Sequence, residues 1–94
     1  RLSTGGTPDK ELTKEDIQTV EISPNGTLML ERQAVTLPRL EQLLVAEFRR
    51  NPNMVVFIRA DENGRNKDLY AVIDRCQRNG ITRYSLRTEP PGRR

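Results

Sequence analysis

Eight residues near the middle of the chain, Met54-Val55-Val56-Phe57-Ile58-Arg59-Ala60-Asp61, constrain the fold more than any other stretch. Five successive apolar residues, several of them β-branched, are opened by Asn51-Pro52-Asn53 and closed by Asp61-Glu62-Asn63-Gly64. That pattern predicts a strand apolar on both faces rather than an alternating one. Such a strand lies inside a sheet and needs cover above and below. The amphipathic stretches on either side, 37–50 and 67–79, read as helices packed against that sheet, and 83–88 supplies the strand after the second helix.

Ahead of these elements the pattern changes. Residues 1–14 are small, polar and Gly-containing, and read as a linker or arm. From 17 to 23 the residues alternate, with Val20 and Ile22 on one face and Thr19, Glu21 and Ser23 on the other, as in a half-exposed strand. Ser23-Pro24-Asn25-Gly26 is a turn, because Pro24 sets φ at the first central position and Gly26 accepts the left-handed conformation that reverses the chain. Alternation resumes over 27–31 with Leu28 and Leu30 inward, so the first two strands are expected to pair antiparallel. Asn25-Gly26-Thr27 also matches a glycosylation acceptor, but the backbone of a hairpin turn accounts for Asn-Gly by itself. Arg32-Gln33-Ala34 reads as a short connection, and Val35 adds an apolar contact before the first helix.

In that helix Thr36 is placed as the N-cap and Pro38 in the first turn, where its missing N–H costs nothing. Leu37, Leu40, Leu43, Leu44 and Phe48 form the apolar stripe, Arg39, Glu41, Gln42 and Arg49 face away, and Asn51-Pro52 ends the element. Asn66 is expected to cap the second helix, in which Leu69, Val72, Ile73 and Cys76 fall at i, i+3, i+4 and i+7; Asn79-Gly80 supplies its C-terminal end. Ile81 restarts the apolar pattern, and Tyr84 and Leu86 alternate with Arg83, Ser85 and Arg87. The expected fold is α+β, in the order β-β-α-β-α-β, with two helices on one face of a mixed four-stranded sheet. Cover on one face leaves the far side of the central strand open. Either a dimer partner or the N-terminal arm closes it, or the strand is not buried on both sides.

A chain of 94 residues makes one domain with a modest core. With 34% hydrophobic residues and four aromatics, that core is built from Leu, Val and Ile, and oligomerisation would add stability. The net charge of +3 is uneven: residues 51–94 hold nine basic and five acidic side chains, a surplus of +4. This fits an anionic partner or a solvated charged surface. A small nucleic-acid-binding module is the reading from a second class. It requires aromatics on the sheet, where only Phe57 and Tyr84 sit, Phe57 within an apolar run. An enzyme is not expected: His is absent, and there is neither a Gly-rich phosphate loop nor a nucleophile constellation. The single cysteine forms no internal disulfide, and Cys76 on an apolar helix face reads as a small buried hydrophobe. No apolar run approaches the ~20 residues of a membrane span, and no signal peptide is present. The chain begins with Arg1 rather than Met, so a piece of a longer protein is expected and a missing span says nothing of the whole.

In order, the chain presents a short hairpin with Pro-Asn-Gly at its turn; a Leu-rich helix; Val55-Val56-Phe57-Ile58-Arg59-Ala60-Asp61; Tyr70-Ala71-Val72-Ile73-Asp74; Asn79-Gly80-Ile81; and Ser85-Leu86-Arg87-Thr88-Glu89. Over about 17–89 this resembles the periplasmic domain of the ExbD/TolR family of biopolymer transport proteins. The resemblance implies residues 1–16 as a linker following an inner-membrane anchor outside this chain, 17–89 as the periplasmic domain and 90–94 as a tail. It also implies a non-enzymatic homodimerisation and docking module without cofactor. Its partners would be an ExbB/TolQ-like channel subunit, through the membrane helix, a TonB- or TolA-like protein, and peptidoglycan. Such a complex turns proton-motive force into outer-membrane transport or envelope integrity. The proton-carrying Asp of the family lies in the anchor, so no acidic residue here takes that role. The polar loop 62–67 and Asn79, at a place where a small residue is common, depart from the family pattern and leave the ExbD or TolR branch open.

Two sets of residues stand out as candidate sites. Asp61, Glu62, Asn63 and Asp68 follow the central strand, where ligand groups collect in open α/β sheets. A cation site there competes with plain turn and cap duty, and the spacing does not fit an EF-hand. Arg83, Tyr84, Ser85, Leu86 and Arg87 form the last strand, with Arg83, Ser85 and Arg87 on one face. If it is an edge, its free backbone groups could pair with a second copy or an extended partner segment; the competing reading is a charged, solvated face. Tyr70 lies off the buried stripe, as a helix-edge packing residue or a partner contact. No metal site is expected.

Overall fold

The computed structural model describes residues 16–89, so the expected arm before Asp16 and the tail 90–94 lie outside the described residues. Five strands and two helices follow one another as β1 (Ile17–Ile22), β2 (Leu28–Leu30), β3 (Gln33–Val35), α1 (Leu37–Arg50), β4 (Val55–Asp61), α2 (Asn66–Arg78) and β5 (Tyr84–Glu89). They form one mixed sheet of order β3-β2-β1-β4-β5. β1 pairs antiparallel with β2 and β2 with β3, whereas β1, β4 and β5 run parallel.

The fold class is as expected, with one strand more than the sequence reading gave. The stretch 32–34, read as a connection, turns at Glu31-Arg32 and pairs back, Leu30 with Gln33 and Leu28 with Val35. Glu31 and Arg32 both take positive φ, 50° and 73°. That is the signature of a two-residue type I′ hairpin, usually built with Asn-Gly. Two side-chain-bearing residues in this region cost about 1 kcal/mol each. Part of the offset is visible: the Glu31 N–H donates to the Thr19 carbonyl at 3.0 Å, and the Thr19 N–H donates to Glu31 Oε2 at 2.7 Å.

Both crossovers, β1 to β4 and β4 to β5, step the same way across the sheet, so a common hand carries both helices to one face. Register puts Val20, Ile22, Leu28, Leu30, Val56, Ile58 and Ala60 on that face, and all are buried. Leu40 and Leu44 from α1, Val72 and Cys76 from α2, and Met54 and Ile81 from the loops complete the core. The opposite face carries Ile17, Thr19, Glu21, Met29, Val55, Phe57 and Arg59, and no described element packs on it. The central strand is therefore sealed on one side only: Val56 and Ile58 are fully buried, while Val55 and Phe57 are half-buried by their neighbours in the sheet.

The helix ends mostly follow the sequence. Thr36 Oγ1 accepts from the Arg39 N–H at 3.3 Å, with Pro38 in the first turn. Asn51 closes α1 and ties it to β1: its Nδ2 donates to Asp16 Oδ1 at 2.7 Å and its Oδ1 accepts from the Asn53 N–H at 3.1 Å. The expected Asn66 cap is instead the first helical residue of α2. Arg65 occupies the cap position without a side-chain bond to the helix backbone. Its guanidinium is engaged elsewhere, donating to Asp68 Oδ2 at 2.9 Å and to the Asn25 carbonyl at 3.2 Å, which fastens the first hairpin turn to the start of α2. At the other end Gly80, at φ 77°, completes a Schellman ending in which the Gly80 N–H donates to the Gln77 carbonyl and the Ile81 N–H to that of Cys76.

Candidate functional site

The sheet has two edges, β3 and β5. On β5 the free groups can be identified from the ladder. The Val56 N–H donates to the Arg83 carbonyl at 3.0 Å, and Val56 stands in register with Tyr84. In a parallel pair the N–H and C=O of one residue point to the same side and alternate along the strand. Arg83, Ser85, Arg87 and Glu89 therefore bond to β4, and the outward backbone groups belong to Tyr84, Leu86 and Thr88. Side chains alternate with the same parity. Tyr84, Leu86 and Thr88 share the helix-covered face with Val56, Ile58 and Ala60, while Ser85 and Arg87 share the open face with Phe57 and Arg59.

Two large apolar side chains are exposed among the described residues, Tyr70 on α2 at 62% and Leu86 on this edge at 46%. Gln77 Nε2 donates to the Tyr84 hydroxyl at 2.8 Å, which fixes the flank of α2 that overhangs β5. Tyr70 is seven residues before Gln77 on the same flank, about 10.5 Å along the helix axis. Tyr70 therefore shares the flank of α2 from which Gln77 reaches the Tyr84 hydroxyl. The last strand of the sequence reading is thus a sheet edge, with Thr88 added to its outward residues; that backbone role carried no signal in the sequence because it depends only on parity against β4.

The polar loop residues are not gathered in the same way. Asp61 Oδ1 accepts from the Asn63 N–H at 2.8 Å and the Asp61 carbonyl from the Gly64 N–H at 2.8 Å, which is turn duty. Asp68 is held by Arg65. Among the described residues no three His, Cys, Asp or Glu side chains are grouped to hold a metal ion.

Sequence reasoning missed a polar link between the helices. Glu41, read as facing away, accepts from Arg75 Nη1 at 2.7 Å and from Asn79 Nδ2 at 2.8 Å, and Asn79 also donates to the Arg75 carbonyl at 2.8 Å. The hydrogen bonds from Asn79 and then Arg75 hold the Glu41 carboxyl below its ordinary pKa of 4.5. Asn79, a departure from the family pattern, has a place here: it joins the end of α2 to α1. Cys76 is buried, and burial pushes its thiol up to about 11, which keeps it protonated and inert.

Two hollows lie away from the β5 edge. One of about 330 Å³ runs between the hairpin turn and the helices, lined by Leu28, Val35, Leu37 and Ala71 with Thr27 and Asp68 at its rim. The other, about 250 Å³ on the open face, is bounded by Thr19, Glu21, Glu31, Arg32 and Arg59, and there Arg59 approaches Glu21 at 3.6 Å. Phe57 is the one aromatic that register places on the open face among the described residues, which offers no row of stacking platforms for bases. None of the helices among the described residues is long and apolar enough to cross a membrane.

Comparison with known proteins returns one family: the model described as biopolymer transport protein ExbD/TolR matches residues 3–91. No curated protein matches the chain.

Proposed function

The chain belongs to the ExbD/TolR family of biopolymer transport proteins, and on that premise we propose that it is the periplasmic dimerisation and docking domain of an energy-transducing subunit. The subunit would be anchored in the inner membrane through a helix outside this chain and coupled there to an ExbB/TolQ-like channel. Its domain would carry force from the proton gradient to a TonB- or TolA-like partner, with peptidoglycan as a further contact. The observation that carries the docking role is the β5 edge. Tyr84, Leu86 and Thr88 turn main-chain donors and acceptors outward, and Leu86 adds exposed apolar surface among them. Strand addition uses that combination, the main chain for affinity and flanking side chains for selection.

Amide exchange on β5 tests it. The amides of Tyr84, Leu86 and Thr88 should exchange quickly in dilute protein and slow several-fold on raising the concentration or adding the docking partner, while those of Ser85 and Arg87 stay protected throughout. Uniform protection of all five under every condition would refute the docking edge.

A further inference from the structure

Three of the six asparagines stand directly before a glycine, in Asn25-Gly26, Asn63-Gly64 and Asn79-Gly80. Such a step can lose ammonia without an enzyme, because glycine has no Cβ to shield its main-chain nitrogen from the neighbouring side-chain amide. We propose that Asn63 is the site of this spontaneous modification in the folded domain, and that hydrogen bonds protect Asn25 and Asn79.

The reaction is an attack of the glycine nitrogen on the asparagine Cγ. The new N–Cγ bond closes a cyclic imide, the Cγ–Nδ2 bond breaks, and the proton of the glycine N–H departs with the amide as ammonia. Water then opens the imide. Addition at Cγ gives aspartate; addition at the main-chain carbonyl carbon gives isoaspartate, in which the chain runs through the former side chain. The sum is amide plus water to carboxylate plus ammonium. A peptide nitrogen is a poor nucleophile while its lone pair is delocalised, so the step is slow and follows the fraction of time each turn is open.

All three glycine nitrogens must first leave an acceptor. The Gly26 N–H donates to the Ser23 carbonyl at 3.0 Å, that of Gly64 to Asp61 at 2.8 Å and that of Gly80 to Gln77 at 3.1 Å. The asparagine side chains separate the sites. Asn79 is half-buried, and its Nδ2, the atom that must depart, donates to Glu41 Oε2 and to the Arg75 carbonyl, both at 2.8 Å. Asn25 is exposed, but its Oδ1 accepts from the Thr27 N–H at 3.1 Å, from the Thr27 hydroxyl at 2.9 Å and from the Ser23 hydroxyl. Its carbonyl is held as well, by Arg65 Nη2 at 3.2 Å. Asn63 is exposed, and among the described residues its side-chain amide makes no hydrogen bond; only its N–H is engaged, with Asp61 Oδ1 at 2.8 Å. Freeing the Gly64 nitrogen undoes one turn of a surface loop, whereas freeing that of Gly26 or Gly80 undoes a hairpin or a helix end. The product also suits its place. A carboxylate at 63 joins Asp61 and Glu62 just ahead of α2, whose N-terminus has no side-chain cap and favours negative charge.

Incubation of the whole chain in mildly alkaline buffer, with peptide mapping by mass spectrometry and enzymatic methyl labelling of isoaspartate, tests the ranking. In native protein Asn63 should convert at least about tenfold faster than Asn79 and several-fold faster than Asn25. In denaturant the three rates should converge, since each asparagine precedes a glycine. Thr27→Val should speed Asn25 roughly fivefold and Glu41→Ala should speed Asn79 by about as much, each leaving Asn63 unchanged. Asn63→Gln should abolish the first acidic species that ion exchange separates from native protein. Conversion of Asn25 or Asn79 ahead of Asn63 in native protein would overturn the assignment. Equal native rates at all three sites would do so too, as would an Asn63 that converts only in denaturant.

Discussion

Replacing Ile58 or Phe57 by Ala separates the two faces of the central strand. Ile58 is fully buried in the core on the helix-covered face of the sheet. Its truncation removes three carbons at about 0.8 kcal/mol each, roughly 2.4 kcal/mol, and the cavity left in a layer held by the rigid helices raises the total to about 3–4 kcal/mol. For a domain of this size that is a fall in melting temperature of roughly 12–32 °C. Phe57, the next residue, carries a larger side chain but lies on the open face, half-buried. Its loss leaves a hollow that water fills, and about 1 kcal/mol is expected. Urea unfolding followed by circular dichroism at low protein concentration reads both, with the denaturant slope unchanged. If Phe57→Ala costs as much as Ile58→Ala in dilute solution, the far face is covered after all, and the one-sided core described above is wrong. A gap between the two that closes as protein concentration rises would assign the cover to a second molecule.

Three further outcomes follow from side-chain contacts. Because Glu41 is held below its ordinary pKa of 4.5, its ionised form stabilises the fold above that pH, and the contribution disappears as pH falls through the lowered folded value. Wild type minus Glu41→Gln stability should therefore be positive at pH 7 and shrink below pH 4.5; a difference that does not change with pH would exclude the link to Arg75 and Asn79 as its source. Gly26 sits at φ 92° and a Cβ there would collide with the Arg65 guanidinium, so Gly26→Ala should cost about 2 kcal/mol, half from the backbone and half from the broken Arg65–Asn25 bond. In an Arg65→Ala background the cost should drop to about 1 kcal/mol, as a double-mutant cycle by chemical denaturation would show. Cys76, with a thiol pushed up to about 11, should resist a thiol reagent at pH 8 and react only at the rate of unfolding; labelling in seconds under native conditions would contradict its burial.

Local signals in the chain carried most of the fold. Val20, Ile22, Leu28 and Leu30 announce an inward face by period two, and Leu40, Leu44, Val72 and Cys76 by helical spacing, and all eight are in the core. What escaped was decided by tertiary geometry. β3 was hidden because a type I′ turn at Glu31-Arg32 has none of the Asn or Gly that marks such turns, and three residues are too few to show alternation. Arg65 displaced Asn66 as the cap because its guanidinium is drawn to Asn25, forty residues earlier in the chain. Glu41 lies on the polar side of α1 by sequence, yet that side meets α2, which no pattern within one helix records. The five consecutive apolar residues of the central strand overstated its burial, since helices on one face can seal only alternate positions. For the candidate site, the residues of 83–87 and Tyr70 were legible as exposed or charged positions at the end of a pattern. Which of them turn their backbone outward was not, because that parity is set by the partner strand.

The two edges of the sheet differ in a way that bears on use. Exposed edges are a hazard that proteins blunt by shortness, twist or charge. β3 has three residues and begins at a hairpin with two consecutive positive-φ residues. In its two-residue hairpin only Ala34 turns both backbone groups outward, since Gln33 and Val35 exchange theirs with Leu30 and Leu28. A strand seeking to add there would find one residue to bind. β5 is twice as long, has no bulge among its pairings with β4, and offers three outward residues in a row. Its protection comes from Arg83 and Arg87 on one face and from Pro90-Pro91, which follow the strand directly. Those devices do not remove the edge; they restrict what can join it. Charge at Arg83 and Arg87 disfavours a strand that would set like charges opposite them. An edge that merely needed hiding would be blunted as β3 is. An edge left long but filtered by charge is what specific strand addition requires.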